Sequence, residues 1–304
     1  MQEAKVTVVI PNYNGIKYIR DCMDSLRRQN YESFEVLVID NASKDGSLEI
    51  LMQEYPEARV IALEENTGFC YAVNLGIRES KTPYVILLNN DTIVKPDFVS
   101  ALVKTIEEGK DIFSVSAQML SMEDENLLDG AGDGYNILGW AYARGKGRPA
   151  SQYDQKTEIF SACGGAAIYR KSVMEQIGYF DENHFAYLDD VDIGYRARIY
   201  GYRNLYEPAA KVILAVAGDL GGFLYGDLSG KIFMSPADHL LEAGSPEPGG
   251  GGLGTAVWIR KLREDTEEFH QVAQAGKEIP VLPDQPRYHF HRRVIGIAFV
   301  IQLG

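Results

Sequence analysis

The densest group of acidic side chains in this sequence lies between residues 189 and 192. Asp189, Asp190 and Asp192 follow the apolar run 185–188, and Arg196 comes one helical turn after Asp192. If a helix begins near Asp190, Asp192 and Arg196 can pair, and Asp190 is free to act as a general base. The alternative is that all three acids only stabilise a helix N-terminus, and Asp189 fits that role well.

Asp91 is the candidate ligand for a metal ion. It follows the apolar run Tyr84–Leu88, which we predict to be a central strand, so its carboxylate would emerge at the carboxyl edge of a sheet. A divalent cation held there would stabilise the charge of a leaving diphosphate. The alternative role is a cap for the helix predicted from Pro96. Asp91 lies too far upstream for that, and Asp97 is better placed near the helix dipole.

Asp40 and Tyr13 are candidates for binding a nucleotide base, because each follows a predicted strand. Asp40 could accept a hydrogen bond from a pyrimidine imide, and Tyr13 offers a ring for stacking. Both have structural alternatives. Asp40 could form an Asx turn into Ser43 and Gly46, and Tyr13 could equally well pack into the core.

The order of the elements predicts where these side chains meet. Short β-branched runs alternate with amphipathic helical stretches, which favours an α/β, Rossmann-like fold with a mainly parallel sheet flanked by helices. Such sheets bind ligands beyond the carboxyl ends of their strands. Predicted strands are Val6–Ile10, Glu35–Ile39, Arg59–Ala62, Tyr84–Leu88, Ile112–Ser116 and Ala166–Tyr169, and predicted helices are Tyr18–Gln29, Ser47–Tyr55, Phe69–Glu79, Pro96–Glu108 and Lys171–Ile177.

The second half of the chain is less regular. Residues 120–157 predict a long irregular loop, a feature typical of functional or mobile segments. Glycine occupies 11 of the 37 positions from 218 to 254, which predicts a linker at 218–255. We therefore expect a catalytic domain at 1–217, with a donor-binding half (1–117) and an acceptor-binding half (118–217). A divergent C-terminal extension of unclear role would occupy 256–304.

Composition and missing motifs exclude several classes of protein. A net charge of −13 argues against nonspecific nucleic-acid binding. Three widely spaced cysteines without a CxxC pair favour a reducing cytosol over a disulfide or zinc framework. No apolar run is long enough to span a bilayer, so we expect a cytoplasmic protein, with peripheral contact to the inner membrane face allowed. Neither GxGxxG nor GxxxxGK[ST] is present, which disfavours dehydrogenases and P-loop enzymes.

Five segments in a fixed order resemble family-two glycosyltransferases of the A-type fold, most closely the bacterial rhamnosyltransferase-like enzymes of polysaccharide assembly. The resemblance covers residues from about 5 to 212. It is carried by Val8–Gly15, Val38–Ser47, Asn66–Phe69 with Asn74–Gly76, Leu88–Asp91, and Gly178–Glu182 leading to Tyr187–Asp192.

The resemblance implies an inverting transfer of a hexosyl or deoxyhexosyl group, rhamnosyl among them, from a dTDP- or UDP-sugar to a free or lipid-linked saccharide. Asp190 would be the catalytic base, and Asp91 would hold Mn²⁺ or Mg²⁺. The implied donor-binding residues are Pro11, Tyr13, Asn14, Asp40, Asn66, Gly68, Asn74, Asn90 and Asp91. Gly164, Gly165, Asp189 and Arg196 would line the acceptor or donor pocket.

The sequence departs from the family pattern in two places. Asp189 stands where the family commonly has Glu, and the Lys211–Val212 pair is not followed by the family's usual His. The second departure leaves an alternative open, a nucleotide-sugar binding protein with little or no transferase activity. A histidine such as His184 or His239 folded beside Asp91 would argue against that alternative. A nucleotidyltransferase is disfavoured because no glycine-rich basic loop follows the first strand.

Overall fold

The predicted alternation of strands and helices is present in the computed structural model, which describes residues 4–136, 141–183 and 188–214. Strands are β1 (Val6–Asn12), β2 (Phe34–Asp40), β3 (Arg59–Ala62), β4 (Tyr84–Leu88), β5 (Thr92–Val94), β6 (Ile112–Ser121), β7 (Leu128–Gly130), β8 (Asp133–Tyr135), β9 (Ala141–Ala143), β10 (Thr157–Ile159), β11 (Ala166–Arg170) and β12 (Arg203–Leu214). Helices are α1 (Ile19–Arg27), α2 (Ser47–Glu54), α3 (Phe69–Glu79), α4 (Phe98–Ile106), α5 (Lys171–Ile177) and α6 (Asp189–Ile199), with a 3₁₀ turn at Ala150–Gln152.

One mixed sheet runs through the described residues in the order β10-β12-β6-β11-β4-β1-β2-β3. The strands β3, β2, β1 and β4 are parallel to one another, and β12 is parallel to β6. β11 lies antiparallel between β4 and β6. The predicted fold class, a mainly parallel sheet flanked by helices, is therefore confirmed.

Strand alternation divides the core into two layers. Val8 and Ile10 on β1 face a cluster that includes α1 and α4, whereas Val9 faces the α3 side. Helix α3 lies very close to β1, because a Cβ on Gly76 would fall 2.3 Å from Val9 Cγ1. This close packing fixes the strands whose carboxyl ends carry the candidate site.

The irregular loop predicted over 120–157 is wrong in part. β6 continues to Ser121, and the segment contains β7, β8 and the 3₁₀ turn, with β9 beginning at Ala141. Leu128 on β7 pairs with Leu120, and β8 pairs with β9. These strands are only three residues long, so periodicity gives little signal, and their pairing partners stabilise them instead.

Several predictions fall outside the described residues. They are the linker at 218–255, the extension at 256–304, and the histidines His184 and His239. Where the chain is described, no helix combines the length and the apolar character needed to cross a membrane.

Candidate active site

Asn12, at the end of β1, joins the loops that follow three strands. Its Nδ2 donates to Asp40 Oδ1 at 2.7 Å and to Ser47 Oγ at 3.0 Å. Its Oδ1 accepts a hydrogen bond from Asn90 Nδ2 at 2.8 Å. The parallel register makes this connection, because Asn12 lies directly opposite Asp40. Asn12 was not among the predicted site residues, although it lies in the same polar run as Pro11 and Tyr13.

Asp40 forms an Asx-type turn, which was the structural alternative that the sequence allowed for this residue. The residue is fully buried. Its Oδ2 accepts a hydrogen bond from the Ser43 backbone N–H at 3.0 Å, and its Oδ1 accepts from Asn12. Asp40 thereby fixes the loop after β2, and contact between its carboxylate and a nucleotide base stays a prediction.

Tyr13 and Asn14 lie on the open side of these loops. Tyr13 is 51% exposed, which excludes the core-packing alternative and leaves its ring available for stacking. Asn14 adopts a positive φ of 50°. Its N–H donates to Ser43 Oγ at 3.0 Å, and its Oδ1 accepts from the Lys44 N–H at 2.9 Å. Pro11 is half-buried beneath them. Asn14 therefore ties the loop after β1 to the loop after β2.

Gly15 is a second residue of this loop that the sequence did not single out. A Cβ there would lie 2.3 Å from both Asn12 Oδ1 and Asn90 Nδ2, the two atoms that hydrogen-bond to each other. The hydrogen bond between Asn12 and Asn90, which joins the loops after β1 and β4, therefore leaves no room for a side chain at Gly15. The signal was present as Asn14-Gly15, an ordinary turn sequence.

Asn66 and Gly68 shape the approach to α3. Asn41 Nδ2 donates to Asn66 Oδ1 at 2.9 Å and to the Gly68 carbonyl at 3.1 Å. Gly68 has a φ of 82°, a conformation that favours glycine. Together they hold this loop beside the one that follows β2, as expected for one wall of a pocket.

Asn74 has its side-chain amide fully engaged within the chain. Nδ2 donates to the Phe180 carbonyl at 2.8 Å and to Glu182 Oε1 at 2.9 Å, and Oδ1 accepts from the Phe180 N–H at 3.1 Å. The residue is completely buried. In this structure Asn74 fixes the segment that leads towards α6, so its predicted part in donor binding would be indirect.

Asp91 carries a buried oxygen that has no hydrogen-bond partner. This atom is Oδ1, and burial raises the pKa of the carboxyl group above its ordinary value, with a further rise from the charge of Asp129. A buried carboxylate oxygen without a partner is rare in proteins and fits a ligand of a divalent cation. The helix-cap alternative fails, because α4 begins at Phe98. Over the described ranges no group of three or more His, Cys, Asp or Glu side chains forms a ready metal site.

Asp189 and Asp190 begin α6, as predicted. Asp190 Oδ2 accepts a hydrogen bond from the Gly164 N–H at 3.2 Å, and Oδ1 accepts from the Val191 N–H at 2.8 Å. Burial raises the pKa of Asp190, and these two N–H groups oppose the rise. Asp189 is 5% exposed. Burial, followed by the charge of Asp190, raises the pKa of Asp189 to about 7.

Asp133, on β8, is a third acidic residue close to Asp189 and Asp190, and it was not among the predicted site residues. Its Oδ2 accepts a hydrogen bond from Ser161 Oγ at 3.4 Å. Burial, followed by the charge of Asp190, raises the pKa of Asp133 well above its ordinary value. Because like charges repel in a weakly hydrated site, the charge of Asp190 disfavours ionisation of both Asp133 and Asp189. Asp133 lies in a glycine-rich stretch that carries no periodic signal.

Gly164 and Gly165 connect the two acidic positions. The Gly164 N–H binds Asp190, and the Gly165 carbonyl accepts a hydrogen bond from the Asn89 N–H at 2.9 Å, two residues before Asp91. A Cβ on Gly165 would approach Asn89 Nδ2 to 3.2 Å. The glycine pair therefore allows the backbone to pass between the base candidate and the metal-ligand candidate.

Arg196 is structural in this arrangement. Its Nη2 donates to Asp192 Oδ2 at 2.7 Å, which confirms the predicted pair one turn apart. Its Nη1 donates to the carbonyls of Ile177 and Gly178 at 2.9 and 3.0 Å. The guanidinium is buried and joins α6 to the end of α5. A direct contact with substrate stays a prediction.

Comparison with known proteins agrees with the resemblance at the level of the family. A curated relative named uncharacterized glycosyltransferase YwdF, from Bacillus subtilis, is 28% identical over 228 residues, covering 75% of this chain and 80% of that protein. Poly-beta-1,6-N-acetyl-D-glucosamine synthase from Staphylococcus aureus is 24% identical over 219 residues, covering 71% and 51%. The chain thus spans about half the length of that synthase. These relatives do not single out the rhamnosyltransferase-like subgroup.

Solved structures agree with the fold. The crystal structure of GalNAc-T7 with UDP, GalNAc and Mn²⁺ aligns with a TM-score of 0.60 at 17% identity, over 92% of this chain and 59% of that one. The mannosyltransferase PcManGT from Pyrobaculum calidifontis, in complex with GDP-Man and Mn²⁺, aligns with a TM-score of 0.54 at 18% identity, over 91% and 77%. The sequence model described as Glycosyl transferase family 2 matches residues 7–178. Because that match covers more than half of the chain, the protein belongs to glycosyl transferase family 2.

Proposed function

We propose that this protein is an inverting glycosyltransferase that moves a hexosyl or deoxyhexosyl group from a UDP- or dTDP-sugar to a saccharide hydroxyl. One observation carries the proposal. The adjacent residues Gly164 and Gly165 hydrogen-bond to Asp190 on one side and to the loop bearing Asp91 on the other. The proposed base and the loop of the proposed metal ligand are thus tied to one short backbone segment, which supports the proposal.

Asp190 is the proposed general base. It would remove the proton from the acceptor hydroxyl while the donor's anomeric carbon is attacked from the face opposite the leaving group. Burial makes the carboxylate more basic than an exposed one, and the N–H groups of Gly164 and Val191 keep it oriented. These two properties suit a base that must be ionised and must also accept a proton.

Asp91 and the loops after β1 and β2 are the proposed donor site. A divalent cation, when bound, neutralises charge on the leaving diphosphate. Asp91 Oδ1 is a suitable ligand because it is buried and unpaired. The exposed Tyr13 ring would stack on the base, while Asp40 and Asn12 hold the loop that surrounds it. Both solved neighbours, which hold a nucleotide or nucleotide sugar and Mn²⁺, support a cation-assisted donor site.

The acceptor and setting are proposed on the relatives' names and on the resemblance. The synthase from Staphylococcus aureus supports polysaccharide assembly as the process. Within it we propose a free or lipid-linked saccharide acceptor, rhamnosyl as one donor sugar, and a cytoplasmic location with peripheral contact to the membrane. Residues 1–217 would form the catalytic domain, joined through 218–255 to the extension at 256–304.

One observation favours the alternative function, nucleotide-sugar binding without transfer. Ile213 occupies the position after the Lys211–Val212 pair, where the family pattern has His, and its side chain is buried in the core. β12 therefore offers no polar ligand at that position. Transfer and binding can be separated by experiment.

The test combines calorimetry with a transfer assay. The full-length protein is titrated with UDP and with dTDP, with and without MnCl₂, and turnover is followed by release of the nucleoside diphosphate. Asp190→Asn is expected to retain donor binding and to lose transfer. Asp21→Asn, a change on the exposed face of α1, serves as the matched control. Full turnover by the Asp190 variant would refute its role, and donor binding without turnover by the unaltered protein would favour the alternative.

A further inference from the structure

Three aromatic rings from separate parts of the chain are stacked beside the carboxylate cluster. Tyr135 lies on β8, Phe160 directly follows β10, and Tyr195 lies on α6. The Tyr135 ring centroid is 4.7 Å from that of Phe160 and 6.3 Å from that of Tyr195, with interplanar angles of 16° and 20°. Phe160 and Tyr195 are 5.7 Å apart at 20°. We call these three residues the aromatic stack.

The aromatic stack is open to solvent at Tyr135, which remains 39% exposed. On β9, Tyr142 lies over Gly134, where a Cβ would fall 2.2 Å from Tyr142 Cζ. Because Gly134 and Tyr142 pair across the two strands, the Tyr142 ring is on the opposite face from Asp133 and Tyr135. Tyr142 therefore does not cover the aromatic stack, and the exposed part of Tyr135 is the candidate binding surface.

The position of the aromatic stack follows from strand geometry. Asp133 and Tyr135 are alternate residues of β8, so they lie on the same face, about 6.5–7 Å apart along the strand. The Asp133 N–H donates to the Ser161 carbonyl at 3.0 Å, and the Phe160 N–H donates to the Asp133 carbonyl at 3.1 Å. These bonds hold Phe160 against β8. The Tyr135 ring therefore lies on the same face of β8 as the Asp133 side chain.

Helix α6 carries both Asp190, the proposed base, and Tyr195 of the aromatic stack. A Cβ on Gly194 would lie 2.4 Å from Ser161 Cβ, so the helix face one turn after Asp190 packs directly on Ser161. The charge of Asp190 acts on Asp133 within the same weakly hydrated region. Asp133, Asp190 and the aromatic stack are thus held in one region by β8, Ser161 and α6.

This combination matches a pyranose. A sugar ring presents C–H groups that pack on aromatic faces, and hydroxyl groups that hydrogen-bond to carboxylates, the mixture of apolar and placed polar contacts usual in ligand sites. A nucleobase would also stack, but the proposed base-binding residue Tyr13 lies in the loop after β1. We propose that the aromatic stack binds the acceptor saccharide and presents its hydroxyl to Asp190. This inference rests on the proposed function.

Saturation-transfer NMR tests the inference directly. The full-length protein is irradiated at its aromatic resonances in the presence of three probes, N,N′-diacetylchitobiose, cellobiose and methyl α-L-rhamnopyranoside. Transfer to the ring C–H protons of at least one probe is expected. Tyr135→Ala is expected to lose most of that transfer and to raise the acceptor KM about tenfold, and Tyr135→Phe is expected to retain both.

Two further variants keep the test interpretable. Tyr142→Ala removes an exposed ring on the opposite face of the β8–β9 pair, so it is expected to leave probe binding unchanged. Tyr200→Ala removes a 52% exposed tyrosine at the end of α6 that is not part of the stack, and it is expected to change nothing.

The outcomes separate this inference from the proposed function. If no saturation transfer to any of the three probes is observed, the inference that the aromatic stack binds the acceptor is overturned, even when UDP or dTDP binds normally. An unchanged acceptor KM in Tyr135→Ala would overturn it as well. Absence of nucleotide binding to the unaltered protein would instead refute the proposed donor site.

Discussion

Replacing Asp189 by Asn should stabilise the folded protein, and the gain should depend on pH. Asp189 is nearly fully buried, and burial together with the charge of Asp190 raises its pKa from 3.8 to about 7. The folded protein therefore binds a proton that the unfolded chain releases above about pH 4. An Asn side chain has the same shape and does not ionise. The Asp189→Asn variant therefore lacks the free-energy cost of protonating a buried carboxyl group on folding.

The magnitude and its sign follow from linkage. Below pH 3.8 the carboxyl group is protonated in both states, so the variant gains nothing there. Between 3.8 and about 7 the free energy of unfolding of the unaltered protein falls, relative to Asp189→Asn, by about 1.4 kcal/mol per pH unit. Above about pH 7 the difference levels off at about 4 kcal/mol.

Urea unfolding, followed by circular dichroism at several pH values, measures this difference. Asp21→Asn is the control variant, because it makes the same substitution at an exposed position on α1. Asp190→Asn should itself reduce the pH dependence, since the charge of Asp190 contributes to the raised pKa of Asp189. A difference for Asp189→Asn that stays within about 0.5 kcal/mol from acid to neutral pH would refute the reasoning.

Three further changes have distinct expected outcomes. Asp91→Asn should abolish the Mn²⁺ dependence of UDP or dTDP binding measured by calorimetry, because the buried oxygen loses its charge, and persistent dependence would exclude Asp91 as a ligand. Asp133→Asn should leave the acid limb of the pH–rate profile in place, because the charge of Asp190 raises the pKa of Asp133 and keeps Asp133 protonated where Asp190 ionises. A shift of that limb by more than about half a pH unit would contradict this. Gly15→Ala should weaken nucleotide binding about tenfold, since its Cβ would meet the Asn90 amide at 2.3 Å, and unchanged affinity would show that this contact is unimportant for the site.

The sequence alone was sufficient to predict the parallel strands of the sheet and the helices that connect them. The runs that became β1, β2 and β4 are apolar and β-branched, and the helices between them carry apolar faces at helical spacing. These signals are local, so they can be read from neighbouring residues. The same signals placed Asp91 at the end of a central strand and Asp190 at the start of a helix.

Tertiary structure decided which side chains act together. Asp40 has its buried turn role because Asn12 lies opposite it in the parallel register. Asn74 and Arg196, expected in the pocket, have polar groups engaged by backbone carbonyls of residues that precede α6. No sequence pattern carries these bonds, because each joins segments far apart in the chain.

Asp133 shows this limit most clearly. It lies in a glycine-rich stretch without periodicity, and its three-residue strand is stabilised by pairing with β9. The charge of Asp190 acts on Asp133 because Ser161 bridges β8 to the region that packs on α6. The sequence by itself determined the elements and the acidic residues at their ends. The tertiary structure decided which of those carboxyl groups lie close together, because desolvation and charge repulsion act through space and depend on distance rather than on position in the chain.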